Sequence, residues 1–255
     1  MSSIPKIIHF IWIDFSNELN PNPIIPEKYV KNINTTRQVN SEFQIKIWNG
    51  LECDQLVKKY FPSKYKLYWD LSKPIMRCDF ARLAILYIYG GIYSDIDRIA
   101  IRSYDNILVK YPDYDFIIGK VDFSTTFNLY AFINDVMFAK PKCDFVLQCL
   151  LNIQKKNIPI ETINIFLTAG PDYIKSIFNS YSGPSKIIAI YPELNSCNSC
   201  SCSRSDLDKL VSYTTFDGTW NSKTYVLKTI EYVYCNIYKF AILLLIGWII
   251  FLKIK

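Results

Sequence analysis

The stretch Pro74–Arg98 reads PIMRCDFARLAILYIYGGIYSDIDR. Phe80, Leu83, Ala84 and Tyr87 recur at helical spacing, and Gly90-Gly91 stands where that pattern ends, as expected of a helix stop that takes positive φ. A short strand begins at Ile92. Alternation along it sends Asp95 and Asp97 to one side, two carboxylates with one residue between them, where the chain is about to turn. Upstream, Asp79 and Arg82 are three apart on the helix, so both can point the same way, and the Gly-Gly turn folds the strand back beside them.

A pair of adjacent carboxylates suits a hard divalent cation. Mg²⁺ and Mn²⁺ prefer oxygen ligands and keep positions for water and for substrate phosphate, so two acids are a plausible protein share of such a site. Taken alone, an acid pair at a strand end is more commonly a solvated turn, and Asp79 with Arg82 is an ordinary intrahelical ion pair.

Helix, glycine turn and acid pair together resemble the DxD region of glycosyltransferase family 32, with a more distant likeness to large clostridial glucosylating toxins. The matching residues are Asp79, Arg82, Tyr89, Gly90, Gly91, Tyr93, Asp95 and Asp97; Cys78 stands where the family has a small residue such as serine. The N-terminal IPKIIHFIW matches the family's opening strand through Ile4, Pro5, Lys6, Ile8, His9, Ile11 and Trp12. The resemblance implies a Rossmann-like, GT-A-type α/β domain that moves a hexose from a nucleotide-sugar with retention at the anomeric carbon. It implies that Asp95 and Asp97 hold Mn²⁺ or Mg²⁺ against the donor diphosphate, and that Arg82 acts with them in catalysis. Asp79 and Arg82 would bind ribose or sugar hydroxyls, and Trp12 would stack on the base, while Asn134, Thr219 and Trp220 would contact the donor's sugar and phosphates. Mannose from GDP-mannose is the expected donor, with UDP-linked hexoses close behind, and the acceptor is a lipid or glycan hydroxyl. Without the family, Trp12 reads as a core tryptophan and Asn134 as a strand-starting residue.

The likeness departs at Tyr213–Ser222, YTTFDGTWNS. Family members often carry His-His and then Ser-Trp there; this chain has Thr219-Trp220 and no histidine from Tyr213 to Gly218, with Asp217 and Asn221 as substitute polar groups. That gap keeps open a decayed, membrane-tethered nucleotide-sugar-binding domain. A metal-dependent phosphatase or phosphotransferase is a further alternative, but the nucleophilic Asp with its own Lys and additional acids is not assignable.

Composition narrows the field. The 255 residues can form one α/β domain with a sizeable core, and 1–229 is taken as the catalytic domain. A net charge of +6 carried on scattered lysines gives no nucleic-acid signature. His9 is the single histidine, which excludes histidine triads and HExxH sites and leaves His9 a structural role. Eight cysteines without a secretory signal point to reduced thiols; Cys197, Cys200 and Cys202 read as a polar loop with free thiols rather than a zinc site, with a loop disulfide the alternative in a luminal protein.

Along the chain, strands are expected over Ile4–Asp14, Phe43–Asn49, Asp115–Lys120 and Asn134–Lys140, with helices from about Pro26, to Tyr60 with a stop at Pro62, and over Cys143–Gln154. Short strand–helix–strand connections predict ligands at the carboxyl ends of parallel strands, the edge shared by Trp12 and the acid pair. Thr168, Gly170 and Pro171 mark a further helix start, where Asp172 acts as local capping chemistry. The segment 230–255 is expected to be a C-terminal membrane anchor. Its Tyr232–Leu252 run is nearly long enough to span, with Lys239 snorkelling and Tyr232, Tyr234, Tyr238 and Trp248 at the interfaces. Charge does not decide the side of the membrane on which the domain lies.

Overall fold

A computed structural model describes residues 3–124, 129–194, 208–215 and 217. The first half runs β1 (Ile7–Ile11), α1 (Glu27–Val39), β2 (Gln44–Trp48), α2 (Gly50–Tyr60), α3 (Pro62–Asp70), α4 (Pro74–Tyr89), β3 (Gly91–Ser94) and β4 (Arg98–Ala100). The second half runs α5 (Asp105–Lys110), β5 (Phe116–Ser124), β6 (Leu129–Ala139), α6 (Asp144–Asn152), α7 (Glu161–Thr168), α8 (Pro171–Ser180), β7 (Ile187–Ile190) and β8 (Ser212–Thr214).

The central sheet is mixed, in the order β2-β1-β3-β6-β5-β7. β1 pairs in parallel with both β2 and β3, so the expected parallel half is present, and β6 then runs antiparallel to β3 and β5. β1 is flanked on both sides, which is why it reads as a near-continuous apolar run. α4 is buried from Met76 to Leu86, and its buried residues Phe80, Leu83 and Ala84 join Phe145 and Ile174 in a core on one face of the sheet. On the other face, Phe10, Ile92 and Phe138 pack with Tyr29, Tyr104 and Ile107. The helix ends at Tyr60 as expected, and Pro62 also opens α3: its missing N–H is harmless at the first helical position.

The glycine pair is required by geometry. Gly90 has φ 65° and Gly91 φ 90°, and a Cβ on Gly91 would lie 2.5 Å from the Ile7 carbonyl oxygen. This close approach sets β3 beside β1. Behind the turn, Trp48 Nε1 donates to His9 Nδ1 at 3.2 Å, which leaves Nε2–H to donate to the Gly90 carbonyl at 3.0 Å. Burial pushes His9 down to about 4, so it is a neutral strut, as its expected structural role requires.

Among the described residues, no helix is long and apolar enough to cross a membrane. The expected anchor at 230–255, the donor contacts Thr219 and Trp220, and Cys197, Cys200 and Cys202 lie outside the described residues. Among the described residues, Cys53, Cys78, Cys143 and Cys149 are free thiols.

Candidate active site

β3 stops at Ser94, so Asp95 and Asp97 sit in the turn to β4 rather than on the strand itself. The turn is closed by the Arg98 N–H donating to the Asp95 carbonyl at 3.0 Å, and Asp95 N–H donates to the Asp135 carbonyl at 2.7 Å. Both acids line a cleft of about 440 Å³ at the carboxyl ends of β1 and β3, shared with Trp12, Tyr29, Arg82 and Tyr93. The edge expected from the short strand–helix–strand connections is the edge at which the cleft opens.

Arg82 is the hub of the inner wall. It is 3 % exposed and reaches Asp79 Oδ1 at 3.3 Å, Asp95 Oδ1 at 3.4 Å and the Asn134 carbonyl at 2.7 Å, with its guanidinium 4.6 Å from the centre of the Tyr93 ring. Burial works against its charge, but the Asp95 carboxylate and its neighbours more than offset this and hold Arg82 protonated. Asp79 and Asn134 lie behind it: Asn134 Nδ2 donates to Asp79 Oδ1 at 3.0 Å, and neither lines the cleft. The i, i+3 relation of Asp79 and Arg82 is thus an intrahelical pair that aims Arg82 at the acid turn.

Burial raises the Asp95 carboxyl to about 7, with Arg82 pulling it down and Asp97 and Asp135 pushing it up. Asp97 is raised first by burial and then by Asp135. The Tyr93 hydroxyl donates to Asp95 Oδ1. Asp97 Oδ2 accepts the Asp217 N–H at 3.1 Å, and the Asp217 carboxylate pairs with Lys28 at 2.5 Å. Burial alone would raise Asp217, but Lys28 and Tyr29 reverse this and hold it below the usual carboxylate range.

These groups test whether a divalent cation fits. Arg82 is shared between Asp79 and Asp95, Arg98 pairs with Asp135 and Lys28 with Asp217, while Asp97 is in none of these ion pairs. Among the described residues, no three Asp, Glu, His or Cys side chains converge on one point as a complete cage. Two adjacent carboxylates, one of them outside these ion pairs, and open cleft space match Mg²⁺ or Mn²⁺, whose remaining ligands are waters and substrate phosphates.

Trp12 forms the outer wall. Its indole N–H donates to the Ile24 carbonyl at 3.0 Å and its ring lies 5.2 Å from Tyr29, leaving a half-buried aromatic surface on the cleft. Trp12 is therefore cleft wall and packing partner at once. The loop that carries it is fixed by Glu18, paired with Arg77 Nη2 at 2.5 Å, and by Asn49 Nδ2 donating to the Pro21 carbonyl at 2.9 Å. Three cleft-side features escape sequence reading. Tyr29 sits on an amphipathic helix with nothing to mark it, Asp217 reaches Asp97 through its backbone N–H while its side chain pairs with Lys28, and Asp135 owes its position to a strand irregularity.

An acid turn, a buried arginine and an aromatic wall at the carboxyl ends of parallel strands form a crevice of the kind in which open α/β sheets bind ligands. Residues 26–117 match the family model described as glycosyltransferase sugar-binding region containing DXD motif. That segment includes α4, the glycine pair and Asp95–Asp97, so the family resemblance read from these residues is met there. The chain is 28% identical over 204 residues to inositol phosphoceramide mannosyltransferase 1 of Schizosaccharomyces pombe, covering 76% of this chain and 57% of the relative. It is 29% identical over 180 residues to a mannosyl phosphorylinositol ceramide synthase of Saccharomyces cerevisiae, covering 70% and 43%. The chain thus spans about half the length of these curated relatives. Among solved structures it is similar to PaToxG glycosyltransferase, with a TM-score of 0.49, 21% identity and 70% of each chain covered.

Proposed function

We propose that the chain is a metal-dependent, retaining glycosyltransferase that moves mannose from GDP-mannose to a hydroxyl of an inositol-phosphoceramide-type lipid or a related glycan. The observation that carries this reading is the joining of Asp95, Asp97, Arg82 and Trp12 on one cleft. The choice of sugar and acceptor rests on the names of the relatives. A rival hexose donor would use the same residues.

In this reading Asp95 and Asp97 hold Mn²⁺ or Mg²⁺, which when bound would neutralise charge on the departing diphosphate. Arg82 adds a fixed positive charge beside the acid turn, already desolvated and aimed, so little reorganisation is needed as charge develops. Asp79 and Asn134 hold Arg82 in that pose. Trp12 offers the base a flat apolar face, and the Glu18–Arg77 pair keeps its loop in place. Thr219 and Trp220 are assigned to the diphosphate by resemblance. The acceptor hydroxyl enters from the open side of the cleft, and the membrane is the partner that presents it.

The test is release of nucleotide from a panel of GDP- and UDP-sugars with Mn²⁺, beside the Asp95→Ala/Asp97→Ala variant. Metal-dependent turnover of GDP-mannose, lost in the variant, is expected. Turnover that survives the double substitution, or phosphate release with no sugar freed or transferred, would overturn the assignment.

A further inference from the structure

β6 does not run smoothly beneath the acid turn. Its register against β5 steps from Ile118↔Met137 to Gly119↔Ile133, so Asn134, Asp135 and Val136 stand out of the β5 ladder. This bulge turns neighbouring residues to different tasks. Asn134 serves the Asp79–Arg82 pair, whereas Asp135 Oδ2 accepts from Arg98 Nη2 at 2.9 Å. Arg98 is fully buried, and it also donates to Ser212 Oγ at 2.8 Å and to the Leu194 carbonyl at 3.2 Å. The Asp135 side chain is 13 % exposed, and its second oxygen, Oδ1, is buried without a hydrogen-bond partner. A buried carboxylate oxygen left without a partner is costly unless something nearby uses it.

We propose that Asp135 is a positioning residue for the cation site: it fixes the turn through its backbone carbonyl and supplies the third negative charge that draws the divalent ion to Asp95 and Asp97. The inference rests on the cation reading given above. The Asp135 backbone carbonyl takes the Asp95 N–H, and its side chain ties the turn to the β4–β8 ribbon through Arg98. Arg98 takes one of the two Asp135 carboxylate oxygens, and the other, Oδ1, is left without a hydrogen-bond partner on the residue whose backbone carbonyl anchors Asp95.

The experiment measures Mn²⁺ affinity of the full chain directly, from the loss of the free-ion electron paramagnetic resonance signal, without substrate. Asp135→Asn keeps shape and removes charge, and should weaken Mn²⁺ binding by roughly ten- to a hundredfold, the scale of one charge acting on a divalent ion across several ångströms in a partly buried site. Ser212→Ala loosens Arg98 but keeps the Asp135 charge, and should hold Mn²⁺ within about threefold of wild type. If the uncompensated Arg98 prevents Asp135→Asn from folding, Asp135→Asn/Arg98→Met removes both partners and should still lose Mn²⁺ affinity. Wild-type affinity in a folded Asp135→Asn or double variant would overturn the inference and leave the cation reading intact. Failure of the wild type to bind Mn²⁺ would overturn both.

Discussion

Replacing Arg82 by methionine should expose how the site is built. The side chain is 3 % exposed and serves Asp79, Asp95 and the Asn134 carbonyl at 3.3, 3.4 and 2.7 Å, so its loss leaves two carboxylates facing a cavity wall without their cation. Removing one partner of a buried ion pair costs about 3–5 kcal/mol. The cost must depend on pH. Arg82 lowers both Asp79 and Asp95, whose carboxyls burial already raises, and without it they rise further. An acid whose folded value lies above its unfolded one takes up protons on folding, so stability grows as pH falls through the folded value. The destabilisation measured by urea unfolding should therefore be about 4 kcal/mol at pH 8 and smaller by about 1–2 kcal/mol at pH 5. Arg82→Lys keeps the charge but lacks the planar fork, and should fall between wild type and methionine. A loss below about 1 kcal/mol, or one of equal size at both pH values, would refute the claim that Arg82 neutralises these buried acids.

Other expectations follow from single contacts. With Asp95 raised to about 7, metal-free wild type should lose stability as pH rises from about 4 to about 7, by up to about 1.4 kcal/mol per pH unit. Asp95→Asn should flatten that slope in thermal or urea titrations. Gly91→Ala forces a Cβ against the Ile7 carbonyl oxygen at positive φ and should cost about 1–3 kcal/mol, read as a lower unfolding midpoint with weakened Mn²⁺ binding. Trp12→Ala should weaken binding of the donor nucleotide by about 1–3 kcal/mol in calorimetry, and Trp12→Phe should recover most of it.

Much of this arrangement was legible because it depends on local chemistry. Gly90-Gly91 announced the end of α4 and the turn into β3, and the acid pair followed at a fixed distance. Parallel strands in the first half were readable from apolar runs with short connections, although their order was not. What stayed hidden depends on the return of distant chain. The antiparallel insertion of β6 next to β3 has no mark in either strand, and the bulge that separates Asn134 from Asp135 arises only when β5 and β6 pair. Asn134 was expected at the donor; it lies one layer back, holding Asp79, because the bulge gives that side of the strand to α4. Tyr29 on the cleft wall and the Asp217 N–H on Asp97 come together across long stretches of sequence, which periodicity cannot report.

The most direct test of the central claim, a cation-assisted nucleotide-sugar site at the acid turn, is calorimetric binding of GDP-mannose to wild type and Asp97→Asn, each with Mn²⁺ and with EDTA. Expected is binding by the wild type only with Mn²⁺, and its loss in Asp97→Asn while the fold is kept. Equal binding in EDTA, or undiminished Mn²⁺-dependent binding by Asp97→Asn, would contradict the claim.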